Sequence, residues 1–270
     1  MSLATAIPPH IAAKIRLASH AISWNIPRGD RVETWLDEVS AAGFEGIAIF
    51  GMQVQDWLDD YETFARLLAQ RGLELAAVTC FLGDSAEEAE RVMQFMARAG
   101  AVHLAFTDFF TDLTPQEAAD ILNERGRTAQ QYGVRVYYHN HTGGVGETRE
   151  QLEQVMARVD RDVVHFMLDV GHATKDFDDS APERRAGDFL TDHWGQIEFM
   201  EFKDWNEVTD LNTPLGEGHA DYDRIAGLLA GGQYSGWLVV EQNGNDGLSR
   251  GRGALECAQI SRAFLRRYGL

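Results

Sequence analysis

The sequence predicts an α/β chain closed into a (β/α)8 TIM barrel, and three observations predict it. Eight short apolar runs alternate with eight amphipathic runs, and no Pro/Ser-rich linker or shift in composition interrupts them from residue 1 to residue 270. A length of 270 residues suits one such barrel, so a single domain over 1–270 is expected. The turn after the first predicted strand, Ile22-Ser23-Trp24-Asn25, lacks the glycine-rich phosphate pattern that a doubly wound dinucleotide-binding sheet would carry there.

Strand one is expected from Ile15 to His20, with a helix from about Asp30 to Ala42. Strand two, Gly46 to Phe50, precedes a helix from Trp57 to Gln70 that stops at Gly72. Strand three runs from Glu74 to Thr79, and Ser85-Ala86-Glu87-Glu88 reads as a capping box opening a helix to Arg98. Strand four is Ala101 to Phe106; Thr114-Pro115-Gln116-Glu117 is a second box, with proline at the favoured first helical position. That helix reaches Tyr132, and Gly133 is its stop. Strand five, Val134 to His139, is followed by a helix from about Glu147 to Arg158. After strand six, Ser180-Ala181-Pro182-Glu183 reads as a third box and starts a helix to His193. Strand seven covers Ile197 to Lys203, then a long loop and a helix from Tyr222 to Ala230. Strand eight, Trp237 to Glu241, and a helix from Gly253 to Arg267 complete the pattern.

Composition narrows the function. The hydrophobic content of 44% is enough for a sizeable core. A formal charge of −18 repels phosphate backbones and anionic membranes, so neither nucleic acid nor a membrane is expected as a partner. Cys80 and Cys257 form no CxxC spacing, which points to a reducing compartment and away from a structural zinc ribbon. No apolar run approaches the roughly 20 residues that span a bilayer, and Met1 to Pro9 show no basic start or apolar signal core. A cytoplasmic enzyme is expected; self-association is left open.

The chemistry centres on the stretch from Val163 to Thr174, a buried strand that stops at a polar tip. It has a β-branched start, an apolar run, then Asp169, with Gly171 expected to let the backbone turn. A parallel sheet covered by helices buries both strand faces, so a carboxylate at the carboxyl end sits where such folds place ligands. Side chains alternate across a strand, so parity decides which of them point inward. His139 shares a face with Tyr137 and His141, Asp169 with Met167 and His165, Glu201 with Phe199 and Lys203, and Glu241 with Val239 and Trp237. His139, Asp169, Glu201 and Glu241 therefore converge on one rim. Each alone is explained as well by a cap, a rim ion pair or a satisfied histidine; four on neighbouring strands are not. Three carboxylates beside imidazoles in an apolar mouth are costly unless a cation joins them. Oxygen-rich ligands with one imidazole suit a single divalent ion, manganese first, with magnesium, cobalt or zinc as alternatives.

Tyr138-His139-Asn140-His141, Leu168-Asp169-Val170-Gly171-His172, Glu201-Phe202-Lys203-Asp204, Gly216-Glu217-Gly218-His219-Ala220-Asp221-Tyr222 and Val240-Glu241 together resemble the xylose isomerase-like TIM barrel superfamily. That group includes sugar phosphate isomerases and epimerases, ketose 3-epimerases, inosose dehydratases and endonuclease IV. The resemblance runs in order through essentially the whole chain, and the HNH, LDxGH and glycine-rich stretches are most similar to the inosose dehydratase and keto-inositol isomerase branch. It implies strand ligands in the order Glu, Asp, His, Glu. Asp169 and Glu241 match; His139 stands where the first Glu is expected and Glu201 where the His is, an exchange that keeps one imidazole and three carboxylates. The family's proton-transfer pair is the strand-five and strand-eight glutamates, so the exchange weakens that part of the carry-over. Strand two also departs from the family, since Ile47-Ala48-Ile49 carries no substrate-contacting Glu.

The expected activity is isomerisation or epimerisation of a sugar, ketose or cyclitol by proton abstraction next to a metal-bound carbonyl. Glu241 or His141 would serve as base, while His141 and His172 could equally position the ligands. Lys203, an expensive residue to point inward, either pairs with the acids or polarises a carbonyl. His20, Trp24 and Trp205 could wall a sugar, with packing as the plainer role for the two tryptophans, and His219 is a lid contact or an ordinary loop residue. His103, His165 and His193 are assigned to structure; no Arg/Lys-rich phosphate clamp is evident after the late strands, with Arg250 and Arg252 near the last helix only a weak candidate. The alternative activity is a metal-dependent lyase of the inosose or 3-keto-sugar type, which would generate an ultraviolet-absorbing enone. An abasic-site endonuclease conflicts with the acidic balance and with Ala48. A sugar-binding barrel without turnover is the remaining reading.

Overall fold

A computed structural model describes residues 6–109, 111–244 and 248–270. Eight strands close a parallel barrel: β1 (Ile15–His20), β2 (Gly46–Phe50), β3 (Glu74–Phe81), β4 (His103–Thr107), β5 (Arg135–His139), β6 (Val164–Asp169), β7 (Ile197–Phe202) and β10 (Gly236–Val240). The intervening β8 (Asp204–Asn206) and β9 (Asp210–Thr213) form a separate antiparallel pair. Each barrel strand lies beside its sequence neighbours, and β10 closes the ring between β7 and β1. The fold is the (β/α)8 TIM barrel expected.

Strand parity holds around the polar half. Tyr137, Met167, Phe199 and Val239 pack inside the barrel, each two residues before His139, Asp169, Glu201 and Glu241. On the other half the interior is filled by Ala18, Ala48, Ala77 and Ala105. Register carries the polar tips to one level, with Asp169 paired to Glu201 and Glu201 to Val239.

The helices follow their caps. Ser85 and Thr114 form the expected boxes: each hydroxyl accepts a backbone N–H from Glu88 or Glu117, and each glutamate accepts the cap N–H in return. Thr148 and Gln151 make another, unexpected box, which starts the helix at Arg149 rather than Glu147. The box at Ser180 does not form. Pro182 takes the first helical position, which makes Ala181 the cap and leaves Ser180 Oγ buried without a partner.

Three further expectations need correction. The helix after β2 begins at Tyr61 rather than Trp57, since short helical turns over Gly51–Val54 and Gln55–Trp57 precede it. The long loop after β7 contains the β8–β9 hairpin. Gly171 makes no left-handed turn: it lies in a helix, Val170–Asp176, that starts directly at the tip of β6. Among the described residues no helix is long and apolar enough to cross a membrane.

Candidate active site

His139, Asp169 and Glu201 meet at the carboxyl end of the barrel. Each offers one ligand atom within 4.8 Å of the others, and all three are buried. His139 Nε2 lies 3.5 Å from Glu201 Oε1 and 3.7 Å from Asp169 Oδ2. Local structure sets these directions. Asp169 Oδ1 accepts the backbone N–H of His172 and so caps the helix that follows, which turns Oδ2 toward the other two residues. Asn140 fixes the same strand tip, its Oδ1 accepting the N–H of Asp169 and its Nδ2 donating to the carbonyl. Asp169 Oδ2, Glu201 Oε1 and His139 Nδ1 are buried polar atoms with no hydrogen-bond partner, a costly arrangement for unaided carboxylates.

Glu241 stands apart from this group of three, which corrects the expected four-ligand set. Its Oε1 is in a direct ion pair with Lys203 Nζ, and its Oε2 lies 3.3 Å from His20 Nδ1. That ring nitrogen accepts the N–H of Ile22, so the His20 proton belongs on Nε2 and Glu241 Oε2 receives none from it. Lys203 Nζ also lies 3.7 Å from Asp169 Oδ2 and 3.5 Å from His172 Nε2. The physical reason is barrel closure: β10 docks on β7 and delivers Glu241 to the ammonium. Gly171 makes room for this lysine, because a Cβ there would lie 2.7 Å from Lys203 Cγ.

Charge at the site is unbalanced. Burial outweighs the nearby acids and holds His20 and His141 near pKa 4 and His139 below its ordinary value; burial and Lys203 together hold His172 well below it. All four imidazoles are neutral at working pH. Burial, with Glu241 and Asp169 close by, pushes Glu201 well above the carboxylate range. Burial opposes ionisation of Glu241 too, but Lys203 and His20 overcome it and lower its pKa to about 2. Burial likewise opposes charging Lys203, yet Glu241, Asp169 and Glu201 outweigh it and raise the ammonium's pKa. Ionising Glu201 as well would set three carboxylates against one ammonium and leave two negative charges uncompensated, a deficit that a divalent ion would remove. The donor set of one imidazole and carboxylate oxygens fits such an ion.

Beside these residues opens a cavity of about 520 Å³. His20, His139, His141, Glu201 and Glu241 line it, while Asp169, His172 and Lys203 are buried behind that wall. His172 Nδ1 accepts the N–H of Thr142, and the Thr142 hydroxyl donates to Asp176, an arrangement that fixes the ring. The His141 ring packs against that of His172 with centroids 4.1 Å apart.

Three expected sugar contacts lie elsewhere. Trp24 donates to Glu38 and lines a different groove with Trp35, because the turn after β1 carries its indole outward. Trp205 lies in the middle of β8 and donates to Asp210 across the β8–β9 hairpin. His219 bridges Glu207 and Glu183 at the surface. Arg252 pairs with Glu217. Sequence reasoning missed Asp204, a buried carboxylate that accepts the N–H groups of Trp205, Gly216, Gly218 and Ala220 and so folds the glycine-rich loop around itself. A Cβ at Gly218 would sit 2.1 Å from Asp204 Oδ1, so the glycine in this loop was the available signal.

Comparison with known proteins agrees with the barrel fold. The sequence is 24% identical over 287 aligned residues to the inosose dehydratase of Lactiplantibacillus plantarum, covering 90% of this chain and 91% of that protein. Its fold is similar to D-psicose 3-epimerase from Clostridium cellulolyticum H10, with a TM-score of 0.72 at 14% identity over 94% of this chain and 98% of that one. It is similar also to IOLI protein, solved with a zinc atom bound, with a TM-score of 0.71 at 18% identity over 94% and 98% of the two chains. The family match spans residues 36–268, from the helix after β1 to the last turn. The chain belongs to the xylose isomerase-like TIM barrel family.

Proposed function

We propose that this chain is a divalent-metal-dependent isomerase or epimerase of a sugar or sugar-like keto compound, moving a proton on the carbon next to the carbonyl. The observation that carries the reading is the set of unpartnered buried atoms on His139, Asp169 and Glu201 beside the Lys203–Glu241 pair. His139, Asp169 and Glu201 would hold the ion. A bound divalent ion supplies Lewis acidity toward a substrate carbonyl and offsets the negative charge of the site.

The chain's own groups do the rest. Glu241 faces the cavity ionised, and its Oε2 is open to take a proton. The ammonium that keeps it ionised also makes it a weak base. Any lengthening of the Lys203–Glu241 contact on substrate binding would therefore raise the basicity of Glu241 when transfer is needed. His141 lines the same cavity in its neutral form, and its Nδ1 is 2.8 Å from the carbonyl of Thr142, which leaves Nε2 able to accept or return a proton. Return to another atom or face gives the isomer or epimer.

A second reading, dehydration, is favoured by the inosose dehydratase relatives. It shares the first step and differs only in the loss of a β-hydroxyl. The test is a ketose and cyclitol panel in D2O with manganese. Deuterium next to the carbonyl with a new ketose supports isomerisation, and a new enone absorbance supports dehydration. No exchange across the panel by protein that binds the ion rejects both.

A further inference from the structure

The cavity has two unlike walls. The tips of β1, β5, β7 and β10 supply the imidazoles and carboxylates, whereas Ile22, Ile26, Phe50, Met52, Phe81 and Phe109, from the first four βα units, supply a mainly apolar one in which Thr79 and Thr107 are the polar members. The rings there form an arc that joins the two sides of the site. His20 meets Phe50 edge-on at 4.7 Å, Phe50 stacks on Phe81 at 5.8 Å, Phe81 meets Phe109 at 5.3 Å, and Phe109 reaches His141 at 5.5 Å. Met52 and Phe109 line the cavity and are 44% and 42% exposed, which places them at its mouth.

Among the described residues no arginine or lysine lines the cavity, and Lys203 behind it is engaged by Glu241 and Asp169. A phosphate or carboxylate lying against the apolar wall would find no side-chain counter-charge there, and a chain of net charge −18 repels it at long range. A bare polyol fits poorly as well, because hydroxyls against the phenyl arc would lose water without gaining partners. At about 520 Å³ the space lies within the range that holds drug-sized ligands.

We infer that the substrate is an uncharged sugar or cyclitol ketone bearing an apolar, aromatic substituent, which packs on Phe50, Phe81, Phe109 and Met52 while the polyol faces the carboxylates. Offset or edge-to-face ring packing supplies the recognition. The inference rests on the sugar-directed reading of the same site. Calorimetric titration of the full chain with manganese tests it, using phenyl β-D-glucopyranoside, methyl β-D-glucopyranoside and glucose 6-phosphate as probes. The phenyl probe should bind at least tenfold more tightly than the methyl probe, and the phosphate least well. Phe109→Ala and Met52→Ala, both at exposed positions, should each reduce the ratio of phenyl to methyl affinity. Equal affinity for phenyl and methyl probes, no detectable phenyl binding, or tightest binding of the phosphate overturns the inference. Deuterium exchange on unsubstituted ketones separates the two claims. Exchange without aryl preference removes the aromatic subsite alone, and aryl preference without exchange removes the proton-transfer reading alone.

Discussion

The ammonium of Lys203 lies in direct ion contact with the carboxylate of Glu241 and 3.7 Å from Asp169 Oδ2, so one buried cation serves acids from two strands that are not adjacent. Lys203→Met removes it and leaves three buried carboxylates with no ammonium. In chelator the variant should unfold about 3–5 kcal/mol more easily than the parent. Manganese should recover part of that loss. Equal melting of variant and parent in chelator would remove the charge-balance argument.

Native protein analysed for metal should hold about one divalent ion per chain. Ion at 100 times its Kd should stabilise by about 2.7 kcal/mol, raising the melting temperature by about 5 °C on a chain of this size. His139→Ala and Glu201→Gln should each lose most of the ion and most of that rise. Retention of metal by both variants would show that the three-residue cluster is not the site.

Gly171→Ala places a methyl group 2.7 Å from Lys203 Cγ and 2.8 Å from its Cβ. The crowding should cost about 1–3 kcal/mol and depress kcat further by displacing the ammonium. Gly195→Ala, with open space around it, is the control and should be neutral in both denaturant melts and turnover.

Burial lowers the pKa of His20 from 6.5 in the unfolded chain to about 4 in the folded one. The unfolded state therefore binds the proton first as acid is added. Stability should be unaffected above pH 6.5 and fall between pH 6.5 and 4, by an amount on the order of 3 kcal/mol from this group. In His20→Asn the fall over that window should be shallower, as read from urea titrations at fixed ionic strength. Parallel curves for the two proteins would contradict the assignment.

Asp204→Asn keeps the shape of the side chain but turns an amide toward some of the four N–H groups that the carboxylate accepts. Amide hydrogen exchange should accelerate across 214–221 while the barrel strands keep their protection. KM should rise more than kcat falls. Unchanged exchange in that loop would mean that Asp204 does not organise it.

The sequence by itself determined the eight βα units, their order and the inward face of each late strand. Alternation along a strand and capping at a helix start are local, so they are written in neighbouring residues. Tyr137 before His139, Met167 before Asp169 and Phe199 before Glu201 point inward for that reason alone. Only the tertiary structure decided what each tip touches. Closure of β10 onto β7 gave Glu241 to Lys203, the helix at the end of β6 turned Asp169 Oδ2 inward, and the turn after β1 carried Trp24 out of the site. The aromatic arc from Phe50 to Phe109 joins three separate βα units. Its rings are neighbours only because β2, β3 and β4 pair side by side, and contacts of that kind leave no period in the chain to read.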